Sequence, residues 1–124
     1  MSPITALVVE DSPVTRQIIV SSLAVIPRVV SIEVANGFEA LKMLPQKSFD
    51  IILTDINMPD INGLELLSFL KNHPSYREIP VVIISTEKTE QDRKRGLALG
   101  ADDYVTKPFR PEDLQSIIRK LLKI

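Results

Sequence analysis

Short apolar runs alternate along the chain with longer segments that have helical spacing. Runs rich in Val and Ile predict strands at residues 6–9, 29–34, 51–53 and 81–84, with a weaker strand at 104–105. The clearest helical segment is the last, where apolar residues recur with the spacing of one buried helix face: Leu114, Ile117, Ile118, Leu121 and Leu122. Strand and helix are therefore expected to alternate from end to end.

Residues that favour helix N-termini precede several of the helical segments. They are Ser12 followed by Pro13, Asn36 before Gly37, Thr89 with Asp92 three residues on, and Pro111 followed by Glu112 and Asp113. Because nearly continuous apolar strands alternate with these helices, the pattern predicts a doubly wound α/β fold. In such a fold a parallel sheet is covered by helices on both faces through right-handed crossovers.

Size and charge narrow the possible functions. The chain has 124 residues, 44% of them hydrophobic, which predicts one domain over residues 1–124. The net charge of -1 disfavours direct nucleic-acid binding, and we interpret the basic run at residues 92–96 as a solvated helix face. There is no cysteine, signal-peptide pattern or membrane-spanning run. We expect a soluble, cytoplasmic domain without membrane insertion.

Chemically functional side chains follow the predicted strands. Glu10 and Asp11 follow the first strand, Asp55 the third, Ser85 the fourth, and Lys107 the fifth. Open parallel sheets bind ligands beyond the carboxyl ends of their strands. We therefore expect three carboxylates, a hydroxyl and an ammonium to meet at one edge of the sheet.

Three clustered carboxylates repel one another unless a cation lies among them. All-oxygen ligation favours Mg²⁺, or Mn²⁺ and more weakly Ca²⁺, over zinc. Mg²⁺ in proteins is commonly completed by waters and a phosphate, and Lys107 and Ser85 can contact further phosphoryl oxygens. The pattern therefore predicts phosphoryl transfer.

The nucleophile is expected to be Asp55. The chain has no cysteine, and its one histidine, His73, lies in a loop before Pro74, away from the strand ends. An aspartate carboxylate can attack phosphorus to give an aspartyl phosphate. The adjacent acids Glu10 and Asp11 are better suited to holding the metal ion.

Four segments carry a resemblance to a known family: "LVVEDS", "LTDINMPDINGLEL", "PVVIISTE" and "GADDYVTKPF". Over essentially its whole length the chain resembles the receiver domain of two-component response regulators, most closely the single-domain chemotaxis (CheY-like) type. The resemblance implies a flavodoxin-like fold of strand order 2-1-3-4-5. It also implies a signalling domain whose aspartate accepts a phosphoryl group from a histidine kinase or phosphotransfer protein in the presence of Mg²⁺.

The resemblance assigns a role to each site residue. Asp55 would become the 4-aspartylphosphate and would also be a metal ligand. Asp11 would bind the metal directly, Glu10 through water, and Asn57 through its backbone carbonyl. Lys107 would pair with the phosphoryl group and precede a cis peptide bond to Pro108.

The same resemblance implies a switch. Ser85 and Tyr104 would respond to the phosphoryl group, and Asn57 and Glu87 would tune its hydrolysis. A downstream protein would bind the face at residues 89–99, 104 and 110–122. The single-domain length suggests chemotaxis as one pathway, and a receiver excised from a longer regulator is the alternative.

Three other functions fit the pattern less well. A haloacid-dehalogenase-type phosphatase needs a second aspartate two positions after the first, where this chain has Asn57. An FMN carrier would place its phosphate after the first strand, where Glu10 and Asp11 would repel it. A degenerate receiver used purely for binding is disfavoured because the set of site residues is complete. The resemblance implies self-catalysed phosphotransfer and autodephosphorylation, with no other enzymatic activity.

Overall fold

The computed structural model describes residues 2–86 and 90–124, and strands and helices alternate throughout this part of the chain. The elements are β1 (Ile4–Val9), α1 (Pro13–Ala24), β2 (Val29–Val34), α2 (Gly37–Met43), β3 (Ile51–Thr54), α3 (Gly63–Lys71), β4 (Val81–Ser85), α4 (Glu90–Ala98), β5 (Asp103–Thr106) and α5 (Pro111–Leu122). A short 3₁₀ turn, Leu44–Gln46, follows α2. All five predicted strands are present.

The five strands form one parallel sheet of order β2-β1-β3-β4-β5, which confirms the expected fold. The chain moves outward from β1 to β2 and then crosses back to β3 on the other side of β1. The loops after β1 and β3 therefore leave the sheet at its topological switch point, where such folds open a crevice.

Each face of the sheet has its own apolar core, which confirms the doubly wound arrangement. On one face, Ala6 and Val8 of β1 pack with residues of α1 and α5, among them Leu23 and Ile118. On the other face, Leu7 and Val9 belong to a cluster that includes residues of α2 and α3. Because both faces are covered, β1, β3 and β4 are apolar along almost their whole length.

The predicted helix starts are confirmed where the structure describes them. The side chain of Ser12 accepts a hydrogen bond from the Thr15 N–H at the start of α1, and that of Asn36 accepts one from Glu39 at the start of α2. Helix α5 begins at Pro111, as expected. The predicted start at Thr89 lies outside the described residues.

The last two helices match their sequence patterns. In α5, Leu114 and Ile118 are buried, and the other residues of the predicted apolar face pack partly buried against the same core: Ile117, Leu121 and Leu122. The basic residues of α4 are exposed at positions 93–95, as expected for a solvated helix face. Within the described part of the chain, no helix has the length and apolar character needed to cross a bilayer.

Gly63, the first residue of α3, lies directly against the backbone that follows β3. A Cβ atom at this position would be 2.0 Å from the carbonyl oxygen of Asp55, a distance that only backbone movement could relieve. The Gly63 N–H also donates to the carbonyl oxygen of Ile56 at 2.9 Å. Glycine is required here by the close approach of two backbone segments, which brings α3 up to the loop containing Asp55.

We expect Gly63→Ala to lower the free energy of unfolding by about 2 kcal/mol or more, because the added methyl group would displace the Asp55 backbone. Urea unfolding measures the effect. The matched control is Gly96→Ala in α4, where the new Cβ would be 3.4 Å from its nearest neighbour, an ordinary contact with the Tyr104 ring. The control should be neutral or slightly stabilising because alanine favours helix. Equal effects of the two substitutions would contradict this explanation.

Candidate functional site

Three carboxylates converge at the carboxyl end of the sheet, as the sequence predicted. Carboxylate oxygens of Glu10, Asp11 and Asp55 lie within 4.8 Å of one another. Two backbone hydrogen bonds carry the sheet one residue past the strands, because the Glu10 N–H donates to the Val34 carbonyl and the Asp55 N–H to the Val9 carbonyl, each at 3.1 Å. The positions from which Glu10 and Asp55 leave the sheet are therefore fixed.

The three acids differ in exposure. Glu10 is 1% exposed and Asp55 is 6% exposed, whereas Asp11 lies at the solvent-facing side of the cluster. Burial raises the pKa of the Glu10 carboxyl above its ordinary value, and the charge of Asp55 adds to the increase. Hydrogen bonds from Lys107 and from the Ser12 N–H oppose this increase without cancelling it.

Lys107 lies between the two buried acids. Its Nζ is 2.6 Å from Glu10 Oε1 and 3.4 Å from Asp55 Oδ2. The Lys107 N–H donates to the Ser85 carbonyl at 2.8 Å, and the peptide bond to Pro108 is cis, as the resemblance implies. The ammonium is therefore directed from β5 across the end of the sheet to the residues that follow β1 and β3.

The two oxygens of Asp55 have different surroundings. Oδ1 accepts a hydrogen bond from the N–H of Ile56 at 2.8 Å, whereas Oδ2 faces Lys107. Thr54 Oγ1 donates to the Asp55 carbonyl at 3.0 Å and so braces the main chain. The contact of Oδ1 with Ile56 and that of Oδ2 with Lys107 together fix the orientation of the carboxylate.

The donor set fits a divalent cation of the Mg²⁺ type. Among the residues that the structure describes, one ammonium, that of Lys107, contacts two of the three carboxylates, so negative charge is in excess, and all the side-chain donors are oxygens. Asp11 is exposed and so leaves the cluster open to water. Asn57, which the resemblance adds as a backbone ligand, lies two residues after Asp55 and has an exposed side chain.

Ser85 and Tyr104 lie on adjacent strands. The sequence pattern ends the fourth strand at Ile84, but the structure continues it to Ser85, because Ser85 pairs with Thr106 of β5. Ser85 is fully buried at the edge of the sheet where the carboxylates lie. Tyr104 lies two residues before Thr106, and its ring belongs to the same apolar core as Val9. Glu87 lies outside the described residues.

Sequence reasoning did not identify Arg16 as a neighbour of the site, and it expected Gly63 to shape the site through its backbone angle and not through close approach to Asp55. Arg16 Nη1 donates to the backbone carbonyl of Glu10 at 2.8 Å, and Gly63 abuts the Asp55 carbonyl. The available signals were weak: an arginine seven residues after the first strand ends, and a glycine at the start of a helix.

Comparison with protein families and curated proteins gives a consistent result. A family model described as the response regulator receiver domain matches residues 6–119. A probable transcriptional regulatory protein of Picosynechococcus sp. is 39% identical to this chain, over 94% of the chain and 48% of the relative. A chemotaxis protein CheY homolog of Campylobacter jejuni is 32% identical, over 94% of the chain and 90% of the relative. The chain spans about half or less of the length of several curated relatives that it matches.

Solved structures are similar over nearly the whole chain. The chemotaxis protein CheY4 of Vibrio cholerae has a TM-score of 0.89 at 30% identity, covering 98% of this chain and 100% of its own. The receiver domain of the sensor histidine kinase PA1611 of Pseudomonas aeruginosa has a TM-score of 0.88 at 26% identity, covering 99% of this chain and 100% of its own. That second structure holds a magnesium ion coordinated in its active site cleft.

The raised pKa of Glu10 predicts pH-dependent Mg²⁺ binding. A proton competes for Glu10 at pH values just above the ordinary carboxyl pKa, and cation binding needs the ionised form. Lowering the pH from neutrality toward that range should weaken Mg²⁺ binding more in the wild type than in Glu10→Gln. Calorimetric titration at a series of pH values tests this, and equal pH dependence in the two proteins would contradict it.

The metal-free protein should show the corresponding effect on stability. Because the folded-state pKa of Glu10 is raised, its contribution to stability is present at low pH and is lost as the pH rises through the raised pKa. Mg²⁺ should offset that loss in the wild type.

Proposed function

Because the chain belongs to the response regulator receiver domain family and hence to phosphorelay signalling, we propose that Asp55 is its phosphoryl acceptor. The observation that carries this proposal is the position of the Asp55 carboxylate, buried between Glu10, Asp11 and Lys107 at the topological switch point. A sensor histidine kinase or a phosphotransfer protein is the proposed donor, since receiver domains of this kind interact with histidine kinases.

The proposed transfer makes one bond and breaks one. A carboxylate oxygen of Asp55 attacks the phosphorus of a phosphohistidine, and the bond from phosphorus to the imidazole nitrogen breaks with its electron pair remaining on nitrogen. The product is 4-aspartylphosphate. The hydrogen bond from the Ile56 N–H to Oδ1 restricts rotation of the acceptor, so little orientational freedom is lost when the donor arrives.

Glu10, Asp11, Asp55 and the backbone carbonyl of Asn57 are proposed to hold Mg²⁺, for which Mn²⁺ can substitute. When bound, the cation supplies positive charge for the oxygens of the transferring group. Lys107 supplies a second positive charge from the carboxyl end of β5. Its ammonium contacts both Glu10 and Asp55 and can turn from them to a phosphoryl oxygen on Asp55.

A groove beside Lys107 supports access for the donor. Its volume is about 330 Å³, and it opens between the start of α1 and the segments that follow β4 and β5. The residues that line it are Thr15, Ile18, Thr86, Lys107, Pro108 and Phe109. A donor side chain approaching along this groove would meet Lys107, whose ammonium is 3.4 Å from Asp55 Oδ2.

Output is proposed to pass through Ser85 and Tyr104. The Ser85 hydroxyl would donate to the phosphoryl group, and Tyr104 would respond on the neighbouring strand. Because Gly96 of α4 lies directly beside the Tyr104 ring, movement of the ring would change the packing of that helix. The proposed target surface is the face at residues 89–99, 104 and 110–122, of which residue 89 lies outside the described part of the chain.

The proposed domain, residues 1–124, is a phosphoacceptor whose chemistry is limited to its own phosphorylation and autodephosphorylation. A cytoplasmic location is part of the proposal, because the phosphoryl group would come from a kinase that uses ATP. Matches to both a CheY homolog and longer regulators support either a free-standing receiver, with chemotaxis as one pathway, or a receiver joined to an output domain.

Incubation with Mg²⁺ and acetyl phosphate should add one phosphoryl group to the wild type and none to Asp55→Asn, because the amide is not nucleophilic. Intact-protein mass spectrometry measures the addition. The matched control is Asp60→Asn, an exposed aspartate of the same loop with φ 67, a conformation that asparagine also tolerates. The control should be labelled like the wild type. Labelling of Asp55→Asn would refute the assignment.

Lys107→Ala should bind Mg²⁺ more tightly than the wild type, because the ammonium no longer competes for Glu10 and Asp55. The variant should also lose the change at Tyr104 that beryllofluoride, a phosphoryl mimic, produces in the wild type. Calorimetry and NMR spectra of the tyrosine measure the two effects. The control is Lys120→Ala, whose ammonium is 3.7 Å from Asp103, and it should behave like the wild type. A Tyr104 response that survives in Lys107→Ala would contradict the proposed role.

A further inference from the structure

Arg16 lies in the first turn of α1, and its guanidinium reaches back over the end of β1. Nη1 donates to the backbone carbonyl of Glu10 at 2.8 Å. Nε is 3.4 Å from Oε1 of Glu33, which lies on the edge strand β2. The side chain of Arg16 is 22% exposed, so the guanidinium is held mainly by these two contacts and the surrounding protein.

The Glu10 carbonyl lies where the main chain leaves the sheet, between the two adjacent acidic residues. The ladder from β1 to β2 extends as far as the bond from the Glu10 N–H to Val34, and beyond it the chain leaves the sheet. The Glu10 carbonyl and the Asp11 N–H belong to one planar peptide group. A hydrogen bond to this carbonyl therefore fixes the plane from which the Asp11 side chain departs. The orientation of this peptide group therefore decides whether the carboxylates of Glu10 and Asp11 point toward each other.

Arg16 and Lys107 hold Glu10 from different sides. Lys107 contacts the carboxylate at 2.6 Å and so occupies an oxygen that a metal ion would use. Arg16 contacts the main chain, which leaves the carboxylate oxygens available. Hydrogen bonds from a guanidinium are charge-assisted and hence stronger than those between neutral groups. Arg16 can therefore restrain Glu10 without competing for its carboxylate.

Glu33 is placed to orient the guanidinium. It pairs in register with Val8, whose side chain packs in the core on the α1 and α5 face of the sheet. Residues in register on neighbouring strands project to the same face, so Glu33 projects toward α1. Its carboxylate meets Nε while Nη1 points to the Glu10 carbonyl. The planar guanidinium can make both contacts at once, which an ammonium group cannot do with the same geometry.

We propose that Arg16 is a positioning residue of the phosphoacceptor site. Its guanidinium, oriented by Glu33, fixes the Glu10–Asp11 peptide so that the two carboxylates converge with Asp55. This inference rests on the proposed function, because the property that Arg16 controls is the affinity of these carboxylates for a divalent cation.

The test compares Mg²⁺ affinity with stability in Arg16→Gln. Calorimetry gives the dissociation constant, and urea unfolding with and without saturating Mg²⁺ gives the stabilisation by the ion. Arg16→Gln should raise the dissociation constant for Mg²⁺ at least tenfold and reduce the stabilisation accordingly. Arg16→Lys should recover part of the affinity, because lysine can reach one of the two oxygens. Glu33→Gln should have a smaller effect than Arg16→Gln, because it removes the charge that orients the guanidinium but keeps the hydrogen bond from Nη1 to the Glu10 carbonyl.

Arg28→Gln is the matched control. The guanidinium of Arg28 also holds a backbone carbonyl, that of Ser2, with Nε at 3.0 Å and Nη2 at 2.8 Å, but at the opposite end of β1. Removing it should lower stability by the same amount with and without Mg²⁺ and leave the dissociation constant unchanged. A merely structural role for Arg16 would give that same pattern.

An unchanged Mg²⁺ dissociation constant in Arg16→Gln would overturn the inference, as would an equal weakening in Arg28→Gln. If Arg16→Gln does not fold, Arg16→Lys and Glu33→Gln decide the question, and affinities equal to the wild type in both would overturn it. Failure of the wild type to bind Mg²⁺ or to be phosphorylated on Asp55 would reject the proposed function itself. Measurements on the wild type alone therefore distinguish failure of the proposed function from failure of the inference about Arg16.

Discussion

The contact of one lysine with two buried carboxylates is the interaction on which the site depends. Glu10 and Asp55 are almost entirely withdrawn from water, and an unpaired buried charge is costly. Lys107 lowers that cost by placing its ammonium between them. It balances only part of the negative charge of the cluster, because Asp11 lies beside the two buried acids. The cluster therefore keeps a net negative charge, which favours binding of a cation.

The fold makes this arrangement possible by bringing together strand ends that are far apart in sequence. Residues 10 and 107 are separated by 97 positions, yet their side chains meet because β1 and β5 end at the same edge of a parallel sheet. Two apolar cores, one on each face, stabilise the sheet independently of the polar edge. Repulsion among the clustered carboxylates lowers the stability of the fold. The two apolar cores offset that loss.

The sequence was most informative about features that depend on a single strand, helix or loop. Apolar strands, the helix starts at Ser12, Asn36 and Pro111, and the side chains at strand ends were predicted, because each depends on local pattern and on the general geometry of parallel sheets. The contacts of Arg16 and the close approach of Gly63 to Asp55 were not predicted. They depend on how α1 and α3 sit against loops from other parts of the chain, which periodicity does not specify. The extension of β4 to Ser85 likewise follows from its pairing with β5.

The central claim is that phosphorus becomes bonded to one carboxylate, that of Asp55. Borohydride reduction of the protein after treatment with Mg²⁺ and a phosphodonor tests this most directly, since an acyl phosphate is reduced to an alcohol while free carboxylates do not react. Peptide mapping should then find homoserine in place of aspartate at position 55, and only when both Mg²⁺ and the phosphodonor were present. Homoserine at position 11 or 60, or no reduced residue at all, would contradict the account.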